Sequence, residues 1–288
     1  MIAERLAIVG VGLIGGSLAL ALKRAGAVRE VLGVGRSPQS LDAARELGVI
    51  DRAVDWADAA QADCILLAAP VGETTAILTA LAPHLKPGTI VTDAGSTKSD
   101  VIAAARAALG TRIVDFVPGH PVAGSERSGP AAARADLYEG RRVVLTPVEE
   151  TRDDALMQVR ALWEAAGARV ELLDAALHDR VFAAVSHLPH LAAFALVDEL
   201  ARRKDGELFF RFAAGGFRDF TRIAGSSPEM WRDIALANRD ALLAELDAYV
   251  EALQSLRGTV AQADADALLK RFSRARAARE NWMKSQDS

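Results

Sequence analysis

The sequence predicts an α/β, doubly wound and mostly parallel sheet domain followed by an all-α domain, and three observations carry that prediction. Strand-like and helix-like runs alternate through residue 173, a glycine-rich turn joins the first strand to the first helix, and strand-like runs cease after Asp174. Alternation of this kind is the signature of parallel strands linked by crossover helices. The domains are therefore expected at 1–173 and 174–288.

The first predicted strand, Leu6–Gly10, runs straight into the glycine turn and a helix over Gly15–Ala25. Strands follow at Val31–Val34, Cys64–Ala69, Thr89–Asp93, Arg112–Val117, Arg142–Thr146 and Arg169–Leu173. Helical spacing fills Ser40–Leu47, Glu73–Leu81, Asp100–Leu109 and Asp153–Ala166 between them. The strands are apolar almost without interruption, as strands covered on both faces must be. Beyond Asp174 the pattern predicts five or six helices. The first, Asp174 to about Arg203, is apolar on more than one face and so must be buried against several neighbours. So much apolar helix in so short a domain predicts packing against a second chain. The run Arg239–Leu256, with Leu242, Leu243, Leu246, Val250 and Leu253 at three-and-four spacing, fits the same bundle.

Composition removes several function classes. A net charge of −4 argues against a phosphate-backbone partner, and the basic tail of Lys270, Arg271, Arg274, Arg276 and Arg279 reads as a solvated helix face. Nucleic acid is not expected. One cysteine, Cys64 in an apolar strand, excludes an internal disulfide and offers no metal-ligand spacing. The N-terminus shows no signal peptide and no apolar stretch reads as a membrane span, so the expected location is cytoplasmic, with no membrane partner.

The turn Gly10-Val11-Gly12-Leu13-Ile14-Gly15 is a G-x-G-x-x-G placed between a strand and a helix. The first glycine permits the tight turn, the second lets backbone approach a pyrophosphate, and the third lets helix pack on strand. Phosphates then meet the free N–H groups and positive end of the helix. The segment therefore predicts a Rossmann dinucleotide site. Gly10, Gly12, Leu13, Ile14, Gly15 and the end of the third predicted strand, Ala69 and Pro70, are its expected cofactor-binding residues. Such a fold uses an acid at the end of the second strand to hold the ribose hydroxyls of NAD. Here that strand ends Val34-Gly35-Arg36-Ser37. Either Arg36 and Ser37 receive a 2′-phosphate, or Arg36 stacks on adenine. The expectation is NADP favoured over NAD, with no metal.

Three further clusters stand out. In Thr92-Asp93-Ala94-Gly95-Ser96-Thr97-Lys98, Ser96 is either a site residue or a helix cap. In Pro118-Gly119-His120-Pro121, a histidine fixed between glycine and proline is poorly explained as core packing. Its titration range suits a general base acting on a hydroxyl that loses hydride. In Gly215–Ala224, Arg222 is either a carboxylate clamp or a surface ion-pair partner. His187 and His190, in Ser186-His187-Leu188-Pro189-His190, lack the further ligands that a metal would need. Pro189 predicts a kinked helix there, with one or both histidines turned to substrate.

The glycine turn, Asp93–Lys98, Gly119–Gly124, Ser186–His190 and Gly215–Ala224, in this order, resemble the prephenate dehydrogenase family, which includes arogenate and cyclohexadienyl dehydrogenases. The resemblance implies oxidative decarboxylation of a cyclohexadienyl acid on the way to tyrosine, with hydride transfer to NAD(P)+. It implies a C-terminal helical domain that forms a homodimer. It also implies His120 and Ser96 as the catalytic pair at the substrate 4-hydroxyl and Arg222 at the ring carboxylate. Ser125, Glu126, His190 and His187 would line the substrate pocket, and Arg218 and Asp219 would reach the neighbouring subunit's site. No length is left over in this reading for a separate regulatory domain.

Overall fold

The computed structural model describes residues 1–125 and 127–286. Its strands are β1 Ala3–Val9, β2 Val28–Val34, β3 Arg52–Ala53, β4 Cys64–Leu67, β5 Ile90–Asp93, β6 Phe116–Val117, β7 Gly119–Pro121, β8 Arg142–Leu145 and β9 Arg169–Leu172. Between them lie α1 Leu13–Arg24, α2 Pro38–Glu46, α3 Trp56–Ala59, α4 Thr74–Leu81, α5 Ser99–Leu109 and α6 Asp153–Ala165. After β9 come α7 Ala175–Phe182, α8 Leu188–Ala201, α9 Gly206–Phe212, α10 Gly215–Thr221, α11 Pro228–Ala237, α12 Arg239–Ala261 and α13 Ala265–Gln286. Two compact units result, one spanning Met1–Arg239 and the other running from Asp240 onward. The boundary of compactness thus lies well beyond residue 173, because α7 and α11 pack on the sheet domain.

Six strands form an all-parallel sheet in the order β3-β2-β1-β4-β5-β6. This is the doubly wound dinucleotide-binding order, and chain direction reverses its progression between β1 and β4, where such sheets open a crevice at their carboxyl ends. Alternate residues explain the continuous apolar runs. Leu6, Ile8, Cys64 and Leu66 face one core with Leu18, Leu22 and Trp163. Ala7, Val9, Ile65 and Leu67 face the other with Leu78, Leu81, Trp231 and Ile234. Both faces are dry over residues 6–9 of β1 and 64–67 of β4, so those positions are apolar without interruption.

The remaining strands leave that sheet. β7 pairs antiparallel with β8, and β8 parallel with β9, in a separate three-stranded sheet. The predicted strands at 142–146 and 169–173 appear as Arg142–Leu145 and Arg169–Leu172, but alternation alone does not say which sheet they join. The expected strand Arg112–Val117 is reduced to Phe116–Val117, preceded by a 3-10 turn over Gly110–Asp115. Arg112 donates to the carbonyls of Leu85 and Lys86, both at 2.6 Å, and this tie holds the segment in a turn that local pattern does not foresee.

The helical run from Ala175 to Ala201 is continuous over 27 residues and is, by length and composition, apolar enough to cross a membrane. This corrects the expectation that no such stretch exists. Two shorter apolar pieces are joined by a π-helical turn over Ala183–His187, immediately before Pro189. Proline lacks an N–H and its ring clashes with the carbonyl four residues back, so the widened turn absorbs what would otherwise break the helix. The same run carries His178 and Asp179, which are hydrogen-bonded to residues of the sheet domain.

The glycine turn is shaped by contact. A Cβ on Gly15 would fall 2.6 Å from Ile8 Cγ2 and 2.7 Å from the Gly10 carbonyl oxygen. Both neighbours are rigid strand and turn atoms, so Gly15→Ala must push α1 off β1. The expected cost is about 1–3 kcal/mol, with loss of dinucleotide binding. Urea unfolding and cofactor titration of the variant check it; wild-type values in both would refute this account of the turn.

Candidate active site

A crevice opens beside the glycine turn. Gly10 takes φ +92° and its missing Cβ would meet Ala68 O at 2.7 Å, whereas nothing lies within 4 Å of a Cβ on Gly12. The turn is thus closed beneath Gly10 and open above Gly12. Gly12 caps α1 without any side-chain hydrogen bond, so the first N–H groups of the helix remain for an anion. A cleft of about 700 Å³ runs past Gly10, Gly12, Arg36, Ser37, Ala69 and Pro70. The side chains of Leu13 and Ile14 instead join the core beneath the sheet. Arg36 Nη1 lies 3.3 Å from Glu73 Oε1, and Ser37 Oγ caps α2 by accepting from Ser40 N at 3.2 Å.

A second group of residues sits at the carboxyl ends of β5 and β6. Asp93 ends β5; its Oδ2 accepts from Gly95 N at 2.7 Å and its Oδ1 from Gly119 N at 3.0 Å. Lys98, with no exposed surface, donates to Asp93 and, at 2.8 Å, to the Gly119 carbonyl. A Cβ on Gly119 would stand 2.9 Å from Asp93 O, so only glycine allows this closeness. The clamp delivers the next residue, His120, into a short strand paired with Val144, where the sequence suggests a loop.

His120 is 8% exposed. Its Nδ1 lies 2.8 Å from His178 Nε2, and its ring packs at 4.5 Å on Phe182. His178 Nδ1 lies 2.9 Å from Asp179 Oδ1. Asp179 in turn accepts from the Lys98 and Ser99 N–H groups, each at 2.8 Å, at the first turn of α5. Burial pushes His120 well below the ordinary imidazole value, reinforced by the positive ends of His178 and Lys98 nearby. Burial alone would raise Asp179, but hydrogen bonds from His178, Ser99 and Lys98 bring it down to about 2.

The other predicted residues are placed as follows. Ser96 is half-buried, and its backbone lies against the His187 imidazole. His187 is buried, its Nδ1 at 3.1 Å from Asn238 Nδ2, while its buried Nε2 has no hydrogen-bond partner among the described residues. His190 stacks on Trp231 at 3.6 Å, and its Nδ1 lies 2.8 Å from Ser186 O. Burial lowers His190, and the charge of Arg222 nearby lowers it further. Ser125 is exposed and its Oγ accepts from Arg127 N. Arg218 and Asp219 are exposed neighbours on α10. Glu126 lies outside the described residues. Among the described residues no cluster of three or more His, Cys, Asp or Glu side chains is arranged to hold a metal.

Sequence reasoning passed over His178, Asp179, Lys98 and Asn238. The adjacent pair His178-Asp179 inside an otherwise apolar helix was the available signal, since buried charge needs a partner.

An anion-binding turn and a poised imidazole on the same carboxyl edge of a doubly wound sheet equip a dinucleotide-dependent dehydrogenase. Comparison narrows the class. Residues 18–172 match the family model described as prephenate dehydrogenase, nucleotide-binding domain, and residues 174–274 match the prephenate dehydrogenase dimerization domain. The cyclohexadienyl dehydrogenase of Zymomonas mobilis is 39% identical over 96% of this chain and 95% of its own length. The solved prephenate dehydrogenase of Aquifex aeolicus, in complex with hydroxyphenyl propionate and NAD+, has a TM-score of 0.91 at 37% identity, covering 96% of this chain and 98% of that one. The Synechocystis arogenate dehydrogenase structure has a TM-score of 0.81 at 32% identity, covering 97% and 100%. The chain belongs to the prephenate dehydrogenase family.

The buried histidines make stability depend on pH. His187 is lowered by burial to about 4, so between about pH 6.5 and 4 the unfolded chain binds a proton that the folded one refuses. Stability therefore falls as pH drops through that window. His187→Gln should remove about 1–2 kcal/mol of the loss between pH 7 and 5. Urea midpoints of both proteins against pH check it; parallel curves would show that His187 does not titrate in this way.

Proposed function

We propose that this chain oxidises and decarboxylates prephenate, arogenate or both, giving 4-hydroxyphenylpyruvate or tyrosine. The observation that carries the reading is His120: it is buried at the carboxyl edge of the sheet and engaged through Nδ1, and among the described residues its Nε2 has no hydrogen-bond partner. A relative of known structure binds NAD+ and a hydroxyphenyl acid on the same fold, which supports it.

The glycine turn fits a dinucleotide, with the open face of Gly12 and the uncapped start of α1 toward its phosphates. When bound, a nicotinamide ring supplies the hydride acceptor for ring C4. His120 Nε2 takes the hydroxyl proton as C4 becomes a carbonyl, and Ser96 helps position the hydroxyl. The product dienone is a vinylogous β-keto acid, so aromatisation drives loss of carbon dioxide. Arg222, at the start of the turn after α10 and near His190, is the group to hold the ring carboxylate until it leaves. His190, His187, Ser125, Glu126, Arg218 and Asp219 are assigned to the surrounding pocket. In cofactor choice, no acid follows β2, and Arg36 can make a bidentate phosphate contact once Glu73 releases it. This favours NADP over NAD.

The helical part, residues 174–288, is assigned to homodimer formation, in keeping with the dimerization-domain match. Large apolar side chains lie open there: Phe212 is 75% exposed, Phe220 50% and Leu269 67%. Exposed apolar surface of this extent marks an interface. Sedimentation at micromolar concentration is expected to give twice the chain mass; a monomer at all concentrations would exclude this assignment.

Initial rates with prephenate or arogenate, each with NAD or NADP, test the activity. Reduced cofactor is expected with at least one substrate, with NADP the better acceptor and that preference lost in Arg36→Ala. His120→Asn should lower kcat about a hundred- to ten-thousand-fold while cofactor binding persists. Four silent combinations from folded, cofactor-binding protein would end the proposal.

A further inference from the structure

Hydrogen-bond bookkeeping around His120 determines more than its position. Asp179 accepts from two backbone N–H groups at the start of α5 and holds its proton only at about pH 2, so it is a carboxylate, an acceptor only. The 2.9 Å contact to His178 Nδ1 therefore uses a hydrogen carried by that nitrogen. A neutral imidazole has one N–H, so His178 Nε2 is a bare lone pair. The 2.8 Å contact between His178 Nε2 and His120 Nδ1 must then use a hydrogen on His120 Nδ1. This one arrangement satisfies the Asp179 carboxylate, both ring nitrogens of His178 and Nδ1 of His120.

We propose that His178, anchored by Asp179, is a positioning residue that holds His120 in its Nδ1–H tautomer, leaving the Nε2 lone pair to accept the substrate proton. The opposite tautomer would set two bare lone pairs against each other at 2.8 Å. It would also put a hydrogen on the nitrogen that has to accept one. When Nε2 gains the proton, the positive charge on His120 faces the His178 lone pair and, one ring further, the Asp179 carboxylate. Phe182, at 4.5 Å from both rings, keeps that path dry. Lys98 donates into the same turn and places its charge on Asp93, so Asp179 is left for the histidine chain.

The kinetic half of this inference rests on the proposed dehydrogenase reading; the tautomer itself does not. Nitrogen-15 spectra of the full-length protein, labelled at its five histidines, report which ring nitrogen carries hydrogen. His120→Asn and His178→Gln identify the two rings by loss of their signals. At neutral pH, His120 is expected as the Nδ1–H form in the wild-type protein without substrate. His178→Leu should release it toward the Nε2–H form and lower kcat about 100-fold or more, with KM within about threefold. His178→Gln, whose amide oxygen can take the place of Nε2 as acceptor, should keep the tautomer and recover kcat to within about tenfold of wild type.

An Nε2–H ring at His120 in the wild-type protein overturns the proposal, even where the variants fail to fold. So does unchanged kcat in His178→Leu of an active enzyme. The Nδ1–H form in a protein inactive on every substrate would leave the positioning role standing and remove the dehydrogenase reading instead.

Discussion

The buried pair Lys98–Asp93 is the interaction on which the site depends. Taking both charges out of water costs several kcal/mol each, and their attraction offsets this only when every remaining donor and acceptor is matched. Here backbone supplies the further partners. Gly95 and Gly119 donate to the carboxylate, and the Gly119 carbonyl accepts from the ammonium. The satisfied pair therefore does more than neutralise itself: it staples the end of β5 to the start of β7. His120 is the next residue along, and the two glycines are there because a Cβ on either would sit within 3 Å of Asp93.

The turn that carries Lys98 also opens α5, and its free N–H groups are used by a residue from a distant helix. Asp179 accepts two of them, which caps α5 and docks α7 against the sheet domain in one contact. Those hydrogen bonds, with one from His178, hold the carboxylate down at about 2, so it is ionised at neutral pH. The imidazole chain to His120 is built outward from that fixed charge. Packing, capping and the orientation of the imidazoles are thus three consequences of the same few hydrogen bonds.

The long apolar run 175–201 shows how a sequence can satisfy conflicting demands. It must be apolar to pack, yet it must present His178, Asp179 and His187 in one dry region. The π-helical turn before Pro189 joins the two halves without breaking the backbone ladder. His187, two residues ahead of Pro189, keeps a bond to Asn238, while His190, one residue after it, stacks on Trp231.

Much of the fold was legible from the chain alone. Continuous apolar strands, three-glycine spacing and the loss of strands after residue 173 are all local signals, and each is imposed by backbone geometry within a few residues. His120 stood out as well, set between glycine and proline, but its burial in a short strand did not. What could not be read was which segments meet. His120 and His178 are 58 residues apart, and Lys98 and Asp179 are 81 apart. Neither distance leaves a periodic trace. Hydrophobic pattern records which face of an element is dry, but hydrogen-bond partners across the core are chosen by how the elements pack. The sequence therefore determined the architecture, the glycine turn and the backbone setting of His120. Only the tertiary structure decided the company that imidazole keeps, setting His178 and Asp179 behind its Nδ1, because partners across a core are chosen by how the elements pack.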